Sequence, residues 1–198
     1  MNKFIWATIF TVVMVWSGYQ PKDQFTWFLE VLPAMLGAII LLVTIKHYPL
    51  TPLVYLLILI HCVILMIGGH YTYAEVPLFD YFKEWFGFER NNYDKVGHLA
   101  QGFIPAMIAR EIFIRNNVVN TAAWRNFLIV CFCLGFSAFY ELIEWWVAAA
   151  TGEDAEAFLG TQGYVWDTQS DMMLALIGSI LALLLLNRIH DKQLKRLI

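Results

Sequence analysis

Ionisable side chains lie inside apolar segments long enough to cross a bilayer, and that combination most restricts what this chain can become. Asp94 and His98 sit in NNYDKVGHLAQGF, Glu141 and Glu144 in FYELIEWW, and Asp167 and Asp171 in WDTQSDMMLALIG. Holding such a group near hydrocarbon costs about 2.5–3.5 kcal/mol on insertion scales, so intramembrane ionisable residues are paired and functional by default. The surrounding sequence is 60% hydrophobic and only 15% charged, against about 45–50% apolar residues in a soluble domain. It therefore reads as an all-α polytopic membrane protein, one integral membrane domain over residues 1–198. A net charge of -3, with no basic run interleaved with aromatics, points away from nucleic acid.

Crossing a bilayer takes about 20 predominantly apolar residues, and the bundle is expected to hold about six transmembrane helices. The spans are Phe4 to Gly18, Phe25 to Ile45, Leu53 to Ile67, Lys95 to Ile114, Trp124 to Ala148 and Ser170 to Leu186. The first has no A-x-A-like cleavage site after it and reads as a retained span. Loops rich in Lys and Arg stay cytoplasmic. With both termini inside, nine basic residues fall on the inner side and four on the outer. The expected location is a bacterial inner membrane, multi-pass, with cytoplasmic N- and C-termini. In that topology His70, Asp94, His98, Glu141, Glu144, Asp167 and Asp171 all gather toward the extracytoplasmic end.

Residues three and four apart share a helix face. Asp94, His98 and Gln101 form one stripe, Ser137, Glu141 and Glu144 a second, Asp167 and Asp171 a third. Small residues continue these faces at Gly102, Ala148, Ala175, Gly178 and Ser179, which allows close helix approach. Asp94 and Asp167 also suit helix N-caps, and the capping and site readings both stay open for them. Glu30 and Glu111 read as interfacial or locally paired, and His61 as a hydrogen-bonded core histidine. The long connection from Gly68 to Tyr93 is aromatic enough to lie on the membrane surface and roof the site. Its Gly68-Gly69 pair would allow a sharp exit that returns His70 toward the fourth span. The acidic loop with Glu153, Asp154, Glu156, Gly160 and Gly163 would form the opposite wall.

The segments HYTYAEVPL, NNYDKVGHLAQGF, YELIEWW and WDTQSDM, in this order, resemble the YjdF family of bacterial inner membrane proteins over essentially the whole chain. That family brings no reaction with it. The last three segments are also similar to the VanZ-like pattern Asp-Lys-x-x-His, Glu-x-x-Gln and Asp-x-x-x-Asn-x-x-Gly, through Asp94, Lys95, His98, Glu141, Asp171 and Gly178. Glu144 stands where that pattern has Gln, and Ala175 where it has Asn. The resemblance implies a relation to the cell envelope and a shared polar site, not antibiotic resistance.

The catalytic candidates are therefore His98, Asp94, Glu141, Glu144, Asp171 and Asp167, with His70, Tyr73, Gln101 and Gln169 as substrate-binding candidates. Imidazole and carboxylates suit a divalent metal ion, which His98, Glu141 and Asp171 would ligate, with His70 as an optional fourth. A metal-free alternative makes His98 a general base oriented by Asp94, with Glu141 or Glu144 as acid. The leading function is a hydrolase or transferase acting on a lipid-linked or envelope substrate. A proton- or cation-coupled carrier and a non-enzymatic accessory protein are the alternatives, so whether the chain is an enzyme stays open, as does its oligomeric state.

Overall fold

The computed structural model describes residues 3–151 and 164–197. Seven α-helices make up the described residues: α1 (Lys3–Gly18), α2 (Gln24–Thr44), α3 (Pro52–His70), α4 (Pro77–Phe86), α5 (Tyr93–Arg115), α6 (Ala122–Thr151) and α7 (Asp167–Leu194). Each expected span falls on one of them, and the Gly68 to Tyr93 connection supplies the short α4. Local chemistry sets their starts. The Asp23 carboxylate accepts the Thr26 amide at 2.6 Å and opens α2, which holds its carboxyl below the usual range. Thr51 caps α3 ahead of Pro52, whose missing N–H costs nothing in a first turn. Gly87, with φ +66°, closes α4 in the left-handed conformation.

Among the described residues, α2, α3, α6 and α7 are long and apolar enough to cross a membrane, and α1 is a shorter apolar helix. α5 is long but too polar to qualify, because it needs no lipid-compatible surface. It packs against α3, α6 and α7, and Gln101, Arg110 and Glu111 are buried in its interior contacts. α1 is tied to α3 by the Trp6 indole donating to the Tyr55 carbonyl and by Ser17 Oγ donating to the Met66 carbonyl.

α5 and α7 form the most extensive interface, and glycine makes it. A Cβ on Gly102 would stand 1.8 Å from the Ala175 carbonyl oxygen, and one on Gly178 2.2 Å from the Leu99 carbonyl oxygen. The backbones touch there, as the small-residue faces required. Two levels of polar residues follow from this packing: one where α3 ends and α5, α7 begin, and another at the opposite end.

The opposite end is a closed lock. Glu111, fully buried, accepts the Thr51 amide and hydroxyl, Arg115 Nη1 at 3.1 Å and His190 Nε2 at 3.0 Å. A guanidinium only donates, so Arg110 Nη1, 2.9 Å from His190 Nδ1, makes that nitrogen the acceptor and leaves the proton on Nε2 for Glu111. Arg110 also holds Asp191 at 2.7 Å. Glu111 is thus locally paired, as its sequence context suggested, but in the core rather than at an interface.

Candidate functional site

At the other end, the first turns of α5 and α7 meet the last half of α6. Asp94 and Asp167 are not N-caps, since Asn92 and Trp166 occupy those positions without side-chain cap bonds. Arg90, just before α5, bridges both carboxylates, donating to Asp94 and, at 2.7 Å, to Asp167. One guanidinium therefore pins two helix starts together. Asp94 is directed at Arg90 and at the Lys95 amide, which replaces its expected role of orienting His98.

His98 lies one turn deeper and is oriented by Gln101, whose Oε1 stands 3.3 Å from Nδ1. With Nδ1–H donating to that oxygen, Nε2 presents its lone pair on the other side of the ring. There it faces Asp171 Oδ2 at 3.7 Å, while Glu141 Oε1 stands 3.9 Å from Nδ1. Both separations are too long for hydrogen bonds. The Nε2–Asp171 separation is close to the roughly 3.4 Å between ligand atoms of a tetrahedral cation with bonds of about 2.1 Å. One donor atom from each of His98, Glu141 and Asp171 lies within 4.8 Å of the other two, and Asp94, Asp167 and Asp171 form a second such group. Among the described residues, Glu141 Oε1 and Asp171 Oδ1 are buried without a hydrogen-bond partner, while the Thr168 side chain hydrogen-bonds the Glu141 carboxyl group.

These groups border a cavity of about 470 Å³ that extends between α2, α3, α5 and α6. Its rim is polar, with Arg90, Asp94 and Lys95, and Lys95 Nζ lies 5.5 Å from the Tyr164 ring centre. Its floor is largely apolar, with Pro33, Leu65 and Phe136. Tyr73 forms part of the wall because the preceding turn is forced: Thr72 and Tyr73 have φ of 55° and 57°, and the Tyr73 amide donates to the Gly68 carbonyl at 2.8 Å. Left-handed backbone at two successive non-glycine residues, one β-branched, is costly and concentrates at functional sites. The Tyr73 ring then covers Gly68 and Gly97, where any Cβ would stand 2.3 and 3.1 Å from it. Gly68 is there for that ring.

The expected sharp exit at Gly68-Gly69 is thereby corrected. α3 continues through both glycines to His70, and its last turn directs His70 at α1. The ring stacks on Trp16 at 4.6 Å and donates from Nδ1 to the Ser17 carbonyl at 2.9 Å. His70 is not brought to the carboxylates, and Gln169 is exposed on α7. Tyr73, Gln101, Asp94, His98, Glu144, Asp167 and Asp171 all line the cavity, and Glu141 stands beside His98. The loop residues Glu153, Asp154, Glu156, Gly160 and Gly163 lie outside the described residues.

Arg90, Glu30 and His61 are among the cavity residues not recognised as such from sequence. Arg90 stands outside any apolar segment. Glu30, 7% exposed, accepts a hydrogen bond from the Tyr140 hydroxyl at 3.3 Å instead of reaching an interface. His61 is half-buried and lines the cavity rather than a core. The i, i+4 spacing of Arg90 and Asp94 was the available signal for the first; Glu30 and His61 are isolated in their helices and offered none.

Residues 2–192 match the family described as "Predicted membrane protein (DUF2238)". The chain is also similar to "Inner membrane protein YjdF" of Escherichia coli (strain K12), with 48% identity over 190 residues, covering 96% of this chain and 91% of that protein. No solved structure matches.

Proposed function

The chain belongs to the DUF2238 family of membrane proteins, and on that premise we propose that it is a metal-assisted hydrolase or group transferase acting on a lipid-linked or envelope substrate. The observation that carries this is the disposition of His98. Its ring is fixed through Nδ1 by Gln101, Nε2 is left facing Asp171 Oδ2 at 3.7 Å, and one donor atom from each of His98, Glu141 and Asp171 lies within 4.8 Å of the other two. Metal-binding histidines characteristically donate their second N–H to a neighbouring oxygen, as His98 does here. His98, Glu141 and Asp171 would hold a divalent cation. Bound there, it would polarise a phosphoryl or carbonyl oxygen and acidify a water molecule.

Glu144, one turn beyond Glu141 and on the cavity wall, would take the proton of the attacking water. It would return that proton to the leaving oxygen as the scissile bond breaks. Lys95 would orient the polar part of the substrate at the rim, while Arg90 holds the two helix starts in place. The distribution of Lys and Arg, nine toward the Glu111 end and four toward the His98 end, supports cytoplasmic termini and a site open to the extracytoplasmic leaflet.

Elemental analysis of purified protein beside His98→Ala and Asp171→Asn tests this. The expected result is one divalent cation per chain, lost in both variants, with a chelator-dependent melting temperature only in the wild type. Substoichiometric metal in all three proteins, with no chelator effect, would overturn it. Lipid and envelope-metabolite profiling of deletion and overexpression cells would then name the substrate.

A further inference from the structure

Among the described residues, packed helix pairs wall the sides of the cavity except between α2 and α6. α3 packs on α2 and α5, and α5 packs on α6 and α7, but no interface of comparable extent joins α2 to α6. Across that seam runs the hydrogen bond from Tyr140 to Glu30. Phe136 on α6 lines the cavity and is also 42% exposed, so the cavity wall and the outer surface meet at its ring. The surface around the seam is apolar: Leu36 on α2 and Phe132 on α6 are about half exposed. On the facing helix, Pro33 cannot donate to the Leu29 carbonyl, which weakens α2 where the cavity borders it.

The polar groups just inside the seam ask for donors. Glu30 is more than nine-tenths buried, and its hydrogen bond comes from Tyr140. Glu144 lines the same cavity, together with Asp167 and Asp171. Carboxylates accept when ionised, so a partner for this tier must carry N–H or O–H groups. A space of about 470 Å³ is of the size that encloses a drug-sized ligand, less than a whole diacyl lipid.

We infer that the seam between α2 and α6 is a lateral portal for a membrane lipid with a donor-bearing head group. The head enters past the Tyr140–Glu30 bond to reach the carboxylates, and the hydrocarbon stays between Pro33 and Phe136 in continuity with the bilayer. This deepens, and rests on, the assignment of the cavity as a substrate site.

Native mass spectrometry of the full-length, delipidated protein in detergent tests it, with phosphatidylethanolamine, phosphatidylglycerol and phosphatidylcholine supplied separately. The first offers ammonium donors, the second hydroxyl donors, and the third neither. One molecule of a donor-bearing lipid should be retained per chain, at least tenfold more than phosphatidylcholine. Retention of the first alone identifies an ammonium head, and of the second alone a hydroxyl head. Leu65→Trp, which fills the cavity floor, should lower retention at least tenfold, whereas Phe139→Trp, on the outer face of α6, should not. Glu30→Gln, which leaves the floor open, provides the same test without added bulk and should reduce the preference over phosphatidylcholine. Equal retention of all three lipids, or equal retention by Leu65→Trp and Phe139→Trp, would overturn the portal. Lipid retention without metal would overturn the metal-assisted reaction alone; metal without lipid would overturn the portal alone.

Discussion

Gly102→Ala should separate α5 from α7 and dismantle the site with a single methyl group. Its Cβ would lie 1.8 Å from the Ala175 carbonyl oxygen, against the 3.4 Å at which ordinary contact begins, a shortfall of about 1.6 Å. The obstacle is backbone, which no rotamer change can clear. Overpacking of this kind costs about 1–3 kcal/mol and occasionally more, and the remaining route is to move α7 away. Asp171 lies one turn from Ala175, and His98 one turn from Gly102. A displacement of about 1.6 Å would therefore open their 3.7 Å separation beyond 5 Å, too wide for shared coordination of a cation with bonds of about 2.1 Å. Gly37→Ala is the control, since its Cβ would meet nothing within 4 Å and alanine favours a helix by up to about 1 kcal/mol. Chemical unfolding in detergent, with metal content measured in the same samples, reads both effects. A Gly102→Ala protein as stable as Gly37→Ala, with its metal intact, would refute the close-packed interface and its link to the site.

Glu111→Ala should destabilise the opposite end by about 3–5 kcal/mol, the range for removing one partner of a buried charge network, because Arg115, His190 and the Thr51 amide all lose their acceptor; Glu111→Gln should cost less, and thermal unfolding in detergent measures the difference. Asp23→Ala should cost about 1 kcal/mol through loss of the α2 cap. The folded carboxyl is held below its ordinary value of 3.8, so its stabilisation is complete above that pH and fades as pH falls through the folded value; the melting temperatures of wild type and variant should converge in acid and differ at neutral pH. Impermeant thiol labelling of spheroplasts, in a variant lacking the native cysteines, should modify Glu89→Cys at the rim and spare Asn117→Cys at the other end; the reverse pattern would invert the topology.

The fold was legible because apolar length and helical spacing are local properties. The close approach of α5 and α7 was readable for the same reason, since Gly102, Ala175 and Gly178 continue the polar faces down each helix. α5 is the instructive case. Its segment contains Asp94, Lys95, Arg110, Glu111 and Arg115, and only its position between three other helices makes that polarity affordable. What did not appear in the sequence was partner choice. Asp94 and His98 share a helical stripe, yet Arg90 captures one and Gln101 orients the other. His70 lies in a polar run with Tyr73, but the uninterrupted last turn of α3 sends it to Trp16. Glu30 and Tyr140 are 110 residues apart and meet only across the seam.

The two ends of the bundle also bear on whether the His98 tier is structural. Both are assembled on α5 and α7, and both bury carboxylates and a histidine. At the Glu111 end the chain places Arg115, His190 and the Thr51 cap around one carboxylate, so that the carboxylate is fully partnered, and Arg110 in turn holds His190. At the other end Arg90 is spent on Asp94 and Asp167. Among the described residues, Asp171 Oδ1 and Glu141 Oε1 remain buried without a hydrogen bond, and Glu144 lines the cavity with Glu30 and Asp171. A carboxylate left in that state costs more than it contributes to packing. A fold able to complete the first network had the means to complete the second, or to replace it with apolar side chains. The proposed occupants, a cation at His98 and a donor-bearing head group beside Glu30 and Glu144, would complete it. If so, neutralising the tier should free the cost of holding it. Asp171→Asn and Glu144→Gln should each match or exceed the chelated wild type in stability while losing metal or lipid. Substitutions that instead unfold the chelated protein would mark the tier as structural.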